Sequence, residues 1–165
     1  MDKKYQIFIS STYRDLLEQR DQVVKTVLRM GHLPVGSEMF NAADQLMWEV
    51  IKRHIDNSDY YILIIAHRYG AVDENGIGFT EKEYDYAISK GIPCLAFLID
   101  EKTSWPDVYI DNPVNRRRLS AFKDKVMDRI VSFWSSTDNL AYQVLFYLTQ
   151  AFALQPRIGW VRANE

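Results

Sequence analysis

A single cysteine, Cys94, removes two classes of protein at the outset, because an internal disulfide framework and a cysteine-rich zinc site both need more thiols. Charge of one sign is also lacking. Twenty basic residues stand against 22 acidic ones, a net of −2, so the chain lacks the basic footprint of a general nucleic-acid binder. Long apolar runs are missing too. The longest, residues 60–66 and 92–99, fall well short of the roughly 20 residues that span a bilayer, so no membrane segment is expected. The opening MDKKYQIFIS has no apolar stretch followed by a small-residue cleavage site, which points to a cytoplasmic protein. The three histidines, His32, His54 and His67, have no metal-ligand spacing, so no metal centre is expected. No G-x-G-x-x-G and no G-K-[ST] occurs, which excludes the dinucleotide fingerprint and the P-loop.

What is present suits a packed domain. Apolar residues make up 47% and aromatics 13% of 165 residues, too much for disorder at this net charge. A chain of this length buries roughly 70% of its unfolded surface and needs no staples. A single domain over residues 1–155 is expected, with 156–165 as a tail or the start of a connection to a further module.

The apolar patterning alternates between two periods. Residues 5–9, 32–35, 60–66, 92–99 and 130–134 read as strands, and YYILIIA at 60–66 has the unbroken apolarity of a central strand covered on both faces. Helical spacing fills residues 13–30, 41–54, 80–90, 113–129 and 138–153, with Gly31 and Gly91 as natural stops. Ser11 or Thr12 is placed to cap the first helix. Five strand–helix alternations predict a three-layer α/β fold, a doubly wound parallel sheet in the flavodoxin-like order 2-1-3-4-5.

In such a sheet ligands sit beyond the carboxyl ends of the strands, at the switch point between strands 1 and 3. The loops meeting there carry Ser10, Ser11 and Thr12, the segment 36–41, and His67 with Arg68. Hydroxyls beside a helix N-terminus favour an anion or a sugar. Glu83 enters the same edge one turn into a helix. It has two readings: a catalytic carboxylate, or the far half of a capping box with Thr80 at the N-cap. Cys94 lies inside a strand, where a thiol is inert, and Arg116-Arg117-Arg118 reads as a solvated helix face.

The stretch FISSTYRDLLEQR, residues 8–20, resembles the opening signature of an uncharacterised bacterial domain family whose members often precede NTPase or repeat modules. The resemblance continues through residues 56–70 and 78–93. Such domains are similar to the Toll/interleukin-1 receptor (TIR) domain and, more distantly, to nucleoside 2-deoxyribosyltransferases. The transferase pattern has Gly-Thr, two variable residues, a nucleophilic Glu, and Ala four residues on. Thr80, Glu83 and Ala87 keep that spacing, while Phe79 and Asp85 depart from it.

The resemblance implies a TIR-like domain that cleaves or transfers at the N-glycosidic bond of NAD or a related nucleotide or nucleoside, as an effector in bacterial anti-phage signalling. Glu83 would be the catalytic group, contacting the ribose. Ser10 and Ser11 would hold phosphate, Phe40 or Tyr69 would stack on a base, and Thr12, His67, Arg68 and Thr80 would complete the site. NAD is then a substrate and no cofactor is needed. The alternative is a non-catalytic assembly module, self-associating and presenting Tyr84 and Tyr86.

Overall fold

The computed structural model describes residues 2–36 and 45–164. Five strands form one sheet in the order β2-β1-β3-β4-β5, every neighbouring pair parallel. The strands are β1 (Gln6–Ser10), β2 (Leu33–Val35), β3 (Tyr60–Ile65), β4 (Cys94–Ile99) and β5 (Val131–Trp134). The helices are α1 (Leu17–Arg29), α2 (Gln45–Asp56), α3 (Phe79–Ser89), α4 (Pro113–Met127) and α5 (Thr137–Leu154), with a short 3₁₀ turn at Asp107–Tyr109. This is the expected α/β doubly wound fold.

Side-chain alternation on the strands builds two cores. Tyr60, Ile62 and Ile64 join Ile7, Ile9 and Phe97 against Val23 and Val27 of α1 and Val144 and Leu148 of α5. Tyr61, Leu63 and Ile65 join Phe8 and Leu98 against Ile55 of α2, Ala87 of α3 and Phe122 of α4. Every residue of β3 is buried, which explains why that strand shows no polar alternation. Among the described residues, no helix is long and apolar enough to cross a membrane, and no cluster of His, Cys, Asp and Glu could hold a metal ion.

Two boundaries differ from expectation in ways that shape the site. The first helix begins at Leu17, with Leu16 at its N-cap and no side-chain cap, so neither Ser11 nor Thr12 serves that role. Residues 11–16 instead form a turn closed by the Leu16 N–H on the Tyr13 carbonyl at 3.1 Å. The third helix begins one residue early, at Phe79, with Gly78 at its N-cap. After α5 the chain returns to the amino edge of the sheet, where Trp160 makes an antiparallel bridge with Lys4.

Candidate functional site

Strand β1 ends at Ser10, which alternation puts on the same face as Phe8, toward α2, α3 and α4. Helix α3 buries Glu83, Tyr84 and Ala87 as one stripe against the sheet. Glu83 therefore occupies a position that packing would give to an apolar residue, and it is only 3% exposed. The fully buried Ser10 hydroxyl donates to Glu83 Oε2 at 3.4 Å. The capping-box reading of Thr80 and Glu83 is overturned, because Thr80 already lies inside the helix and Glu83 faces the sheet.

Glycine explains the early helix start. A Cβ on Gly78 would stand 2.9 Å from Cζ of Tyr69, so only glycine lets the helix begin against that ring. The Gly78 N–H donates to Tyr69 Oη at 2.9 Å, and the same hydroxyl donates to Glu81 Oε1 at 2.9 Å. The Tyr69 N–H donates to Asp111 Oδ2 at 2.7 Å. Tyr69, expected as a ring for base stacking, is thus buried in the frame of the loop. Glu81 points away from Glu83 and pairs with Lys125.

A cleft of about 490 Å³ opens over Glu83. Of the residues singled out from sequence, Ser11, Thr12, Arg68, Thr80 and Glu83 line it together. Ser10 touches it through Glu83. His67 does not share it and lines a separate hollow. Phe40 lies outside the described residues. Tyr13, Arg14, Gly70, Ala71 and Phe79 complete the lining and were not singled out. Among these Arg14 matters most, because it and Arg68 are cations with no ion-pair partner among the described residues.

Ser11 is committed rather than open. Its hydroxyl donates to the Thr12 carbonyl at 2.5 Å and accepts from Arg20 Nη1 at 2.6 Å. Arg20 is itself buried and also donates from Nη2 to the Ile9 carbonyl at 3.1 Å. This cation inside the fold fixes the end of β1 and hence the floor of the cleft. The only sequence signal for it was its place nine residues after Ser11 in the same motif.

Two further groups sit at this edge. Asp15 is 6% exposed, and its carboxylate oxygens find no well-formed hydrogen bond, with the Thr12 hydroxyl and its own backbone N–H close by. Burial raises its pKa above the ordinary aspartate value, against smaller lowering by the nearby Thr12 hydroxyl and the Arg68 charge. Tyr61 Oη is fully buried beneath Ser10 and Glu83. Burial first, then the Glu83 charge, hold it well above the usual phenol range, so it stays a neutral hydroxyl. Away from the site, burial pushes the Cys94 thiol up to about 12, which removes it as a nucleophile.

This arrangement sets a carboxyl oxygen of the buried Glu83 in a low-dielectric floor, with the guanidinium groups of Arg14 and Arg68 among the lining residues. Such a cleft favours a ligand with a cationic or electron-poor centre deep inside and negative charge toward the opening. A comparison with curated proteins finds no match. Residues 6–147 match the family described as Domain of unknown function (DUF4062), and the chain belongs to that family.

Proposed function

We propose that this domain breaks an N-glycosidic bond in a nucleotide or nucleoside, with NAD the first substrate to test. The observation that carries the reading is the buried Glu83 carboxylate at a core-facing helix position, opening into a cleft at the switch point of a doubly wound sheet. In this scheme the C1′–N bond breaks and its electron pair leaves with the base. The oxocarbenium-like ribose is stabilised by Glu83 or trapped by it as an ester, which water then opens. A nicotinamide leaving group departs neutral, so no strong general acid is required. Ser10 orients the carboxylate, and Arg14 and Arg68 hold phosphate oxygens. The TIR-like and deoxyribosyltransferase-like affinities of the motifs point the same way, and an effector role in anti-phage signalling fits that chemistry.

The test is incubation of concentrated protein with NAD⁺ and with nucleosides, followed by chromatography for released base. Wild-type protein releases base, and Glu83→Gln lowers turnover by two to three decades, about 3–4 kcal/mol of transition-state stabilisation. The amide is isosteric and still accepts from Ser10, so its unfolding temperature stays close to that of wild type. Unchanged turnover in the folded variant would remove Glu83 from the chemistry.

One feature favours a second reading, an assembly module. At the free edge of the sheet Phe133 of β5 and Tyr142 and Phe146 of α5 are exposed around a hollow of about 430 Å³. Tyr84, expected on such a contact surface, is buried, and Tyr86 is partly covered with its hydroxyl on Asp56 at 2.8 Å. If assembly is the function, sedimentation shows oligomers that Tyr142→Glu disperses, and no base is released.

A further inference from the structure

His67 and Arg68 are neighbours in sequence at the end of β3, yet they serve different cavities. Arg68 lines the Glu83 cleft, and His67 lines a second hollow of about 350 Å³ at the same carboxyl edge, beside α4. Arg116, Leu119, Ser120 and Lys123 of α4 line that hollow with Ile110 and Glu101. Positions 116, 119, 120 and 123 form one stripe of the helix, so the two cations face the same space. The first residue of the arginine run at 116–118 is therefore part of a lined cavity rather than only of a solvated face.

The hollow's cations are poorly matched. The Lys123 side chain is 12% exposed, and its one carboxylate partner among the described residues is Glu101 Oε1 at 4.0 Å, on a side chain 82% exposed. Arg116 donates from Nε to the Asp111 carbonyl at 2.8 Å, and its terminal nitrogens bond no described residue. The His67 imidazole makes no hydrogen bond to a described residue. A covered ammonium without a close counter-charge is costly, and three nitrogen bases around one cavity repel one another when protonated.

We propose that this hollow is a second ligand site, which takes the phosphoryl group of a small molecule. A tetrahedral oxyanion accepts from several directions at once, and the two terminal nitrogens of Arg116, the Lys123 ammonium, the Ser120 hydroxyl and the His67 ring supply donors from two elements. A planar carboxylate would use fewer of them. Ile110 and Leu119 provide an apolar wall for the remainder of the ligand. The state without anion has a physical signature. Burial first, then the Lys123 charge, lower the His67 pKa against raising by Glu101, with smaller lowering by Arg116 and raising by Asp15, and burial lowers that of Lys123. A bound anion reverses both shifts.

The experiment is calorimetric titration of the full chain with inorganic pyrophosphate, with the His67 ring followed by NMR. Wild-type protein binds, and the His67 titration midpoint moves upward in pH when pyrophosphate is present. Lys123→Met keeps the buried stem, and Arg116→Gln alters an exposed residue, so both variants should fold. Each weakens binding tenfold or more. Glu83→Gln leaves the affinity unchanged, which keeps this site separable from the proposed reaction. Wild-type protein that takes up no pyrophosphate overturns the proposal. So does an affinity that Arg68→Gln abolishes while Lys123→Met leaves it intact, because the anion then sits in the Glu83 cleft.

Discussion

The motif at residues 8–20 packs unequal roles into adjacent positions, and Asp15 shows the cost of one of them. A buried carboxylate whose hydrogen bonds do not offset its burial destabilises the fold when charged. Because its folded pKa is raised, the native state takes up a proton more readily than the unfolded chain. Its contribution is therefore most favourable in acid, and stability falls as pH rises through the raised value. Asp15→Asn should accordingly raise the unfolding free energy at pH 7 by about 1 kcal/mol, and the gain should shrink as the pH approaches the ordinary aspartate value. Denaturant titrations at neutral and acid pH measure it, and an Asn variant less stable at pH 7 would contradict it. Gly70 carries a different constraint. Its φ is +86°, and a Cβ there would stand 2.8 Å from Thr12 Cγ2. Gly70→Ala should cost about 1–2 kcal/mol and displace Thr12 from the cleft lining, so stability and turnover fall together. At this scale the sequence was legible where a residue has one plausible job. Glu83 had two, because T-E-K-E also reads as a capping box, and only the early helix start at Phe79 decides between them. Arg20's role could not be read beyond its place in the motif, since its partners, Ser11 and the Ile9 carbonyl, are met only in the folded chain.

The elements divide in the same way. Strands 3 and 4 were legible from apolarity alone because both their faces are covered. The start of α1 was not, because the hydroxyls that would cap it are used otherwise. Ser11 answers to Arg20, and Thr12 packs against Gly70, so the helix starts at Leu17 without a cap. Helix α5 does have its cap, since the Ser136 side chain accepts from the Asn139 N–H at 3.1 Å. Loss of that bond in Ser136→Ala should lower stability by about 1 kcal/mol without touching the cleft. The turn between α1 and β2 carries a pH dependence. His32 Nδ1 accepts from the Tyr5 N–H at 3.1 Å, a bond that needs an unprotonated nitrogen there, and its ring packs on Phe152. Burial, then the Lys4 charge, lower its pKa below 6.5. The unfolded chain thus takes the proton more readily, and stability drains as pH falls from about 6.5 toward the folded value. Thermal unfolding between about pH 7 and 5 should be steeper for wild type than for His32→Gln, which keeps an acceptor and does not titrate. Parallel slopes would remove His32 as the source.

Across the whole molecule, the sheet separates chemistry from closure. The Glu83 cleft and the phosphoryl hollow both lie at the carboxyl edge. The segment after α5 meets the start of β1 at the amino edge. There Lys4 and Trp160 exchange backbone hydrogen bonds at 2.9 and 2.7 Å, and the Gly159 N–H donates to Asp59 Oδ1 at 3.0 Å. Asp59 also holds the start of β1, accepting from the Gln6 N–H through Oδ2 at 2.9 Å. One carboxylate therefore ties the segment after α5 to the first strand, about 16 Å from the cleft along the five residues of β1. Ending the chain after Gln155 removes these bonds and frees a short segment whose ordering had an entropic cost. The net loss should be about 1–2 kcal/mol, or roughly 2–8 °C in Tm for a domain of this size. Pyrophosphate affinity and any base release measured well below that Tm should stay unchanged. A shortened chain that kept its Tm would show the clasp to be energetically idle. One that kept its Tm but lost ligand binding would couple the two edges of the sheet, contrary to the separation drawn from the geometry.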